Sequence, residues 1–311
     1  MFAVRSIILM LMVSMLLACA SGPAPERAAS DTRLSIRHLN KAADFYIKGC
    51  FSKALEQAQE AHERFVAADD LKGAADSLDS MANIYYRMGD PMNALPIYDE
   101  AIDLFRQSGD KSGQVRAMAN KSAALIAVKR LDQAAAVLDQ ADAQGVATLA
   151  PLCLKTRSLL RIEQNDPQGA EVLLRDALRK VSSSDQALAA DLHYTLGHLL
   201  LTTQQPQPAI GHIEAALNLD RSAGAYYSIG IDLAALGACF DHMAQYDEAV
   251  RRYKRSVEIF ALLGAARKMR EVLASLKTSA RKAGLADQSL LTTLQWAQQW
   301  LEGRQQAGLC R

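Results

Sequence analysis

Six alanines recur through the chain at nearly equal steps: Ala54, Ala94, Ala134, Ala170, Ala209 and Ala249, separated by 40, 40, 36, 39 and 40 residues. A period of this length implies one supersecondary unit used repeatedly, each copy packing on its neighbours. Other columns keep the same register. Twelve residues before each alanine stands a small side chain: Ala42, Ala82, Ser122, Ser158, Gly197 and Gly237. Seven after it stand Ala61, Ala101, Ala141, Ala177, Ala216 and Ser256, and four after it Ala58, Tyr98, Leu138, Leu174, Ile213 and Tyr253. Nine before it come Phe45, Tyr85, Leu125, Arg161, Leu200 and Phe240, where Arg161 breaks the column. Offsets of three, four and seven hold residues on one face of a helix. Each unit therefore reads as two helices in close approach, small residue against alanine, with large side chains filling the space one turn away. Gly49-Cys50-Phe51-Ser52 and Gly89-Asp90-Pro91-Met92 fall between the two helices of their units, where glycine can stop a helix in the left-handed conformation.

These columns, with Tyr246-Asp247-Glu248-Ala249 opening a second helix, resemble the small–small–aromatic–alanine signature of tetratricopeptide repeats over roughly 36–263. The resemblance implies an all-α fold: a tetratricopeptide-type α-solenoid of about six helical hairpins plus a C-terminal capping hairpin. We place the six repeats at 34–263 and the capping helices at 264–311. The apolar stripe Leu290, Leu294, Ala297 and Leu301 reads as the cap, and Trp296 and Trp300 beside it read either as part of that cap or as an exposed contact site. The stack is expected to be linear and elongated.

The N-terminus, MFAVRSIILMLMVSMLLAC, places Arg5 before an apolar run from Ile7 to Leu17. That run is too short to span a bilayer and suits a secretory signal at 1–18. Leu16-Leu17-Ala18-Cys19 resembles the bacterial lipobox, which implies cleavage before Cys19 and lipidation of that residue. Ala20 rather than aspartate follows, which leans towards the outer membrane, at its periplasmic face. Residues 20–31, ASGPAPERAASD, read as a flexible tether, and we place lipidated Cys19 and tether at 19–33.

Little points to chemistry. The 35 Lys+Arg against 34 Asp+Glu become equal once Arg5 is removed with the signal, so the basic footprint of a nucleic-acid binder is missing. The six histidines form no i, i+4 pair, and neither HExxH, CxxC, GxSxG nor a phosphate-binding loop occurs. We expect no enzyme activity, no cofactor and no metal. In a linear stack Cys50, Cys153 and Cys239 lie too far apart to pair and are expected to be free, with Cys310 able to meet another chain or Cys239.

In the tetratricopeptide family the first helices line a concave groove. Carried over position by position, this gives Tyr46, Asp76, Asp79, Asn83, Tyr86, Arg87, Arg116, Lys155, Tyr194 and His198 as candidate partner-binding residues. Tyrosines among mixed charges suit a peptide or an extended segment of a protein. The expected function is a protein-interaction scaffold anchored in the bacterial envelope, with a pilotin-like or outer-membrane assembly chaperone as the alternative and an enzyme with an unrecognised site behind both.

Overall fold

The computed structural model describes residues 25–285, 288–302 and 308–310. The expected signal peptide, Cys19 and the start of the expected tether lie outside them. Among the described residues there are fourteen α-helices and no strand. They form seven hairpins in chain order: α1 (Pro25–Lys48) with α2 (Phe51–Ala67), α3 (Leu71–Met88) with α4 (Pro91–Ser108), α5 (Lys111–Ala127) with α6 (Leu131–Ala143), α7 (Ala150–Glu163) with α8 (Pro167–Lys180), α9 (Gln186–Thr202) with α10 (Pro206–Ala223), α11 (Tyr226–His242) with α12 (Tyr246–Leu263), and α13 (Ala266–Lys282) with α14 (Gln288–Leu301). Helix α1 begins inside the expected tether, so residues 25–31 are helical. Proline starts a helix at no cost in hydrogen bonding, because the first turn's N–H groups have no partner within the helix anyway. No helix among the described residues is long and apolar enough to cross a membrane.

The columns read from the sequence are the core of the stack. All six alanines of the first column are fully buried, and so are the Ala61-to-Ser256 and Ala58-to-Tyr253 columns apart from traces at Ala141 and Tyr253. A Cβ added at Gly197 or Gly237 would come within 2.5 Å of Ile213 Cγ1 or 2.7 Å of Tyr253 Cδ1, which shows why those positions admit only the smallest residue. Arg161, which broke the nine-before column, turns outward and pairs with Asp166 at 3.5 Å. Ala94, sealed between α3 and α4 beside Ala82 and Tyr98, is a stringent test of the register. Ala94→Leu is expected to cost ~1–3 kcal/mol by overpacking. Thermal or denaturant unfolding would measure it, and a melting curve equal to that of the wild type would contradict the assignment.

Turn chemistry follows the same period. The residue that reverses the chain inside each of the first six hairpins lies at positive φ: Gly49 and Gly89, then Lys129, Asn165, Gln204 and Ala244 at φ between 58° and 62°. Only the first two are glycine, so four units accept the steric cost of a left-handed non-glycine residue, of order 1 kcal/mol. Aspartates cap five helix starts: Asp70, Asp90, Asp110, Asp166 and Asp185 each accept the backbone N–H three residues on.

The stack is not linear. Small rotations between successive units accumulate until the first two hairpins meet the sixth and seventh. Helix α1 touches α11. Phe51 packs edge-on against Tyr227 with ring centroids 4.9 Å apart, and Gly49 sits so close to Tyr227 that a side chain there would collide at 2.6 Å. Arg87 Nη2 donates to Ser228 Oγ at 3.1 Å, and Arg267 Nη2 to the carbonyl of Met88 at 3.4 Å. A disulfide, Cys50–Cys310, spans a sequence separation of 260 residues with Cα atoms 5.3 Å apart. This corrects two expectations. Cys50 is paired, and its partner is Cys310, because ring closure brings the first turn and the chain's end together. Cys153 and Cys239 are free and buried. The cap lies beside this seam: Trp296 and Trp300 are half-buried against the cluster of α12 and α13, and Trp296 also lines a surface pocket with Lys254, Glu258 and Leu262.

Candidate functional site: the interior of the ring

Closing the ring turns the concave groove into a half-open cavity of ≈ 470 Å³. Every first helix of the six repeats contributes to its wall. Tyr46 comes from α1, Asn83 and Arg87 from α3, Arg116 and Asn120 from α5, Lys155 from α7, Asp191 from α9 and Ser228 from α11, with Asp220 reaching in from α10. Of the sequence candidates, Tyr46, Asn83, Arg87, Arg116 and Lys155 are thus brought together in one cavity. Tyr86, Tyr194 and His198 line a neighbouring one of ≈ 310 Å³. Asp76 and Asp79 line neither and act from behind: Arg116 donates from Nη2 to Asp76 at 2.7 Å and from Nε to Asp79 at 2.9 Å.

The charges are largely matched inside. Asp79 is only 3 % exposed. Burial pushes its carboxyl up more than Arg116 pulls it down, and the Asn120 amide steadies it from 3.4 Å. Lys72 bridges Asp76 and Asp110 at 2.8 Å each, which ties the rim of α3 to that of α5. Lys155 Nζ meets Asp191 at 2.7 Å. Burial alone would raise Asp191, but Lys155 and Arg87 together outweigh it and hold the carboxyl below its usual range. Tyr98 donates its hydroxyl to Asn83 Oδ1 at 2.8 Å, which fixes the Asn83 amide at the cavity wall. Burial, with the Asp232 charge behind it, raises the Tyr194 phenol to about 12, so this ring offers a neutral hydroxyl.

Three features lay beyond the sequence reading. Asp191 stands eighteen residues before its alanine, the position of Asp76 and Arg116 in their own units, so the column was there to be read. Asp232 stands seventeen before Ala249, where other units place buried Ser77, Ala117, Cys153 and Leu192. A carboxylate in that apolar column is a signal. Here it is buried at 1 % exposure and hydrogen-bonded to Asp220. Burial raises both carboxyls, Asp220 raises Asp232 further, and the hydrogen bond from Asp232 lowers Asp220, so the proton the pair shares rests on Asp232. Third, the fold brings His193 and His212 into contact, Nδ1 to Nδ1 at 3.0 Å, although they are nineteen residues apart. Among the described residues no group of three or more histidine, cysteine or acidic side chains could hold a metal ion.

Comparison with known proteins agrees with this architecture. The family model described as tetratricopeptide repeat matches residues 73–141, from the start of α3 to the end of α6. No curated protein sequence matches the chain significantly. Among solved structures, the Rap conjugation gene regulator of plasmid pLS20 in complex with the Phr* peptide superposes with a TM-score of 0.64 at 14% identity, covering 93% of this chain and 80% of that one. A Rap protein complexed with competence and sporulation factor gives 0.56 at 13% identity, covering 82% and 75%. The apo form of RapI gives 0.52 at 12% identity, covering 88% and 78%. Identities this low establish the fold alone. The chain carries tetratricopeptide repeat sequence over 73–141 and has the fold of a tetratricopeptide-type α-solenoid throughout its described length.

Proposed function

We propose that this protein is a non-catalytic interaction scaffold of the bacterial cell envelope, held to the membrane by lipid on Cys19, that takes an extended segment of a partner protein into the ring. The observation that carries this reading is the cavity itself. Six helices from six units present a tyrosine, two asparagines and paired charges to one space, a lining suited to backbone amides and side chains of an extended peptide and equipped with no nucleophile–base arrangement. Two structures of similar fold are complexes with a factor or a peptide, which supports the comparison without identifying the partner here. The lipobox-like Leu16-Leu17-Ala18-Cys19 supports the anchor, and Ala20 supports the outer membrane.

Site-specific photo-crosslinking tests where the partner sits. A photoreactive amino acid in place of Tyr46, inside the ring, is expected to capture a partner in envelope preparations. The same residue in place of Val172, exposed on α8, is expected to capture none. Capture from Val172 alone would place the partner on the outer face and overturn the reading.

The anchor has its own test. Cys19→Ser is expected to move the protein wholly from the membrane to the soluble fraction, or to leave it uncleaved. A cleaved Cys19→Ser protein that stays with membranes after a high-salt wash would remove lipidation from the proposal.

A further inference from the structure

The chain's charges nearly cancel, yet they are segregated along it. Residues 51–110, α2 to the end of the second hairpin, carry twelve Asp+Glu against five Lys+Arg, and residues 246–285, α12 and α13, carry ten Lys+Arg against four Asp+Glu. Both excesses reach the surface as stripes of one sign. In α13 the side chains of Met269, Val272, Leu273, Leu276 and Ala280 are buried, and the opposite arc presents Arg270, Ala274, Lys277 and Arg281, all exposed. Offsets of four, seven and eleven hold these four in one line about 16 Å long. The other cations of the helix are engaged, Arg267 and Lys268 with Glu271 and Lys282 with Asp241. Arg270, Lys277 and Arg281 make no ion pair among the described residues. No further repeat covers this face, and α14 packs mainly against α12.

The counterpart is α2. Ala54, Ala58, Ala61 and Phe65 are buried, and the arc opposite holds Glu56, Glu60 and Glu63. These lie at offsets of four and seven, in a line of about 10 Å. Glu60 pairs with Arg64 of its own helix, while Glu56 and Glu63 are exposed and make no ion pair among the described residues. A helix that ends a stack needs a polar outer face, but mixed charges meet that need as well as one sign does. Like charges in a line repel one another, a cost that a covering surface of opposite sign removes. The matching surface is present on the same molecule, and no ion pair joins the two stripes within one chain among the described residues. We propose that the basic stripe of α13 docks on the acidic stripe of α2 in a second copy of this protein. Lys277 and Arg281, four apart on one stripe, match Glu56 and Glu60, four apart on the other. The contact joins different faces of the two copies, so it either closes into a ring of copies or extends as a chain. Exposed pairs of this kind give register and a salt-sensitive association rather than high affinity. The proposal is independent of what enters the cavity.

The test uses the full protein in two altered forms. Lys277→Glu with Arg281→Glu gives a copy with two acidic stripes, and Glu56→Lys with Glu63→Lys gives a copy with two basic ones. Sedimentation over a concentration series is expected to show wild-type self-association that high salt weakens and that either double variant weakens by at least ~10-fold. Mixing the two variants should restore it, because the basic α2 of one meets the acidic α13 of the other, which a misfolded variant could not do. Zero-length carbodiimide crosslinking of mixed heavy- and light-isotope copies locates the contact. Lys277 joined to Glu56, Glu60 or Glu63 in mixed-isotope peptides is the expected product. Same-isotope crosslinks alone would mean that the two stripes meet within one chain and would overturn the proposal. Variants that associate as the wild type does, or that stay apart when mixed, would overturn it too. So would protection of Lys277 from acylation by phosphatidylglycerol but not phosphatidylcholine vesicles with no mixed-isotope crosslink, which would assign the stripe to an anionic lipid surface.

Discussion

Reducing the Cys50–Cys310 disulfide, or replacing Cys310 by serine, is expected to lower the melting temperature sharply and to loosen the ring at its seam. The bond joins the first hairpin's turn to the end of the chain across 260 residues of sequence, so it removes a very large loop-closure entropy from the unfolded state. Chain-entropy arguments put the stabilisation at up to ~5 kcal/mol for a loop of this size. Without it the seam rests on Phe51 against Tyr227, on Arg87 with Ser228 and on Arg267 with the Met88 carbonyl, a small set of contacts for holding two ends of a solenoid together. The loss also reaches the site, since Tyr46 of the first unit and Ser228 of the sixth flank the seam in the wall of the same cavity. Calorimetry with and without a thiol reductant, paired with small-angle scattering, would measure both effects. Burial raises the thiols of Cys153 and Cys239 to about 11, which makes them poor exchange nucleophiles and assigns any effect of reductant to the clasp. Cys310→Ser with unchanged melting and unchanged dimensions would mean that the seam closes without the disulfide.

What the sequence revealed and what it hid divide along a physical line. Contacts between residues at fixed offsets within a unit, such as Ala82 with Ala94 or Gly237 with Tyr253, repeat at every period and so are written as columns. Which face of the first helix looks inward was also readable, and it delivered Tyr46, Asn83, Arg87, Arg116 and Lys155. Ring closure was hidden because it is the sum of small rotations between units. No single offset records that sum, and the residues at the seam need to match only once. Gly49 shows the difficulty: its glycine suits the turn, and nothing in its own unit says that Tyr227 lies against it. The histidine pair was hidden for a related reason. His193 and His212 sit on the two helices of one hairpin, where contact depends on how those helices are rotated against each other rather than on spacing along either.

Asp232→Asn is expected to make the protein more stable at neutral pH, by an amount that grows as the pH rises. In the folded state burial and the Asp220 carboxyl keep a proton on Asp232 far above the usual carboxylate range, whereas the unfolded chain releases it at an ordinary value. Between those two values the folded state binds the extra proton, so stability falls as pH rises, by ~1.4 kcal/mol per unit at most. An asparagine is neutral at every pH and keeps a donor for Asp220, so it escapes that cost. The two proteins should therefore melt together near pH 4 and separate progressively towards pH 9, with a gap of roughly a few kcal/mol at pH 7. The histidines act in the opposite direction. Burial lowers His193, His198 and His212, with His193 also lowering His212, so the unfolded chain takes up protons first and stability is lost as pH falls through the ordinary histidine range. Both proteins share that loss, so the difference between their melting curves isolates Asp232. A gap that is constant with pH would show that the substitution acts through packing alone. A gap of opposite sign would show that the folded state holds Asp232 as a stabilised carboxylate, in which case the shared proton with Asp220 does not exist.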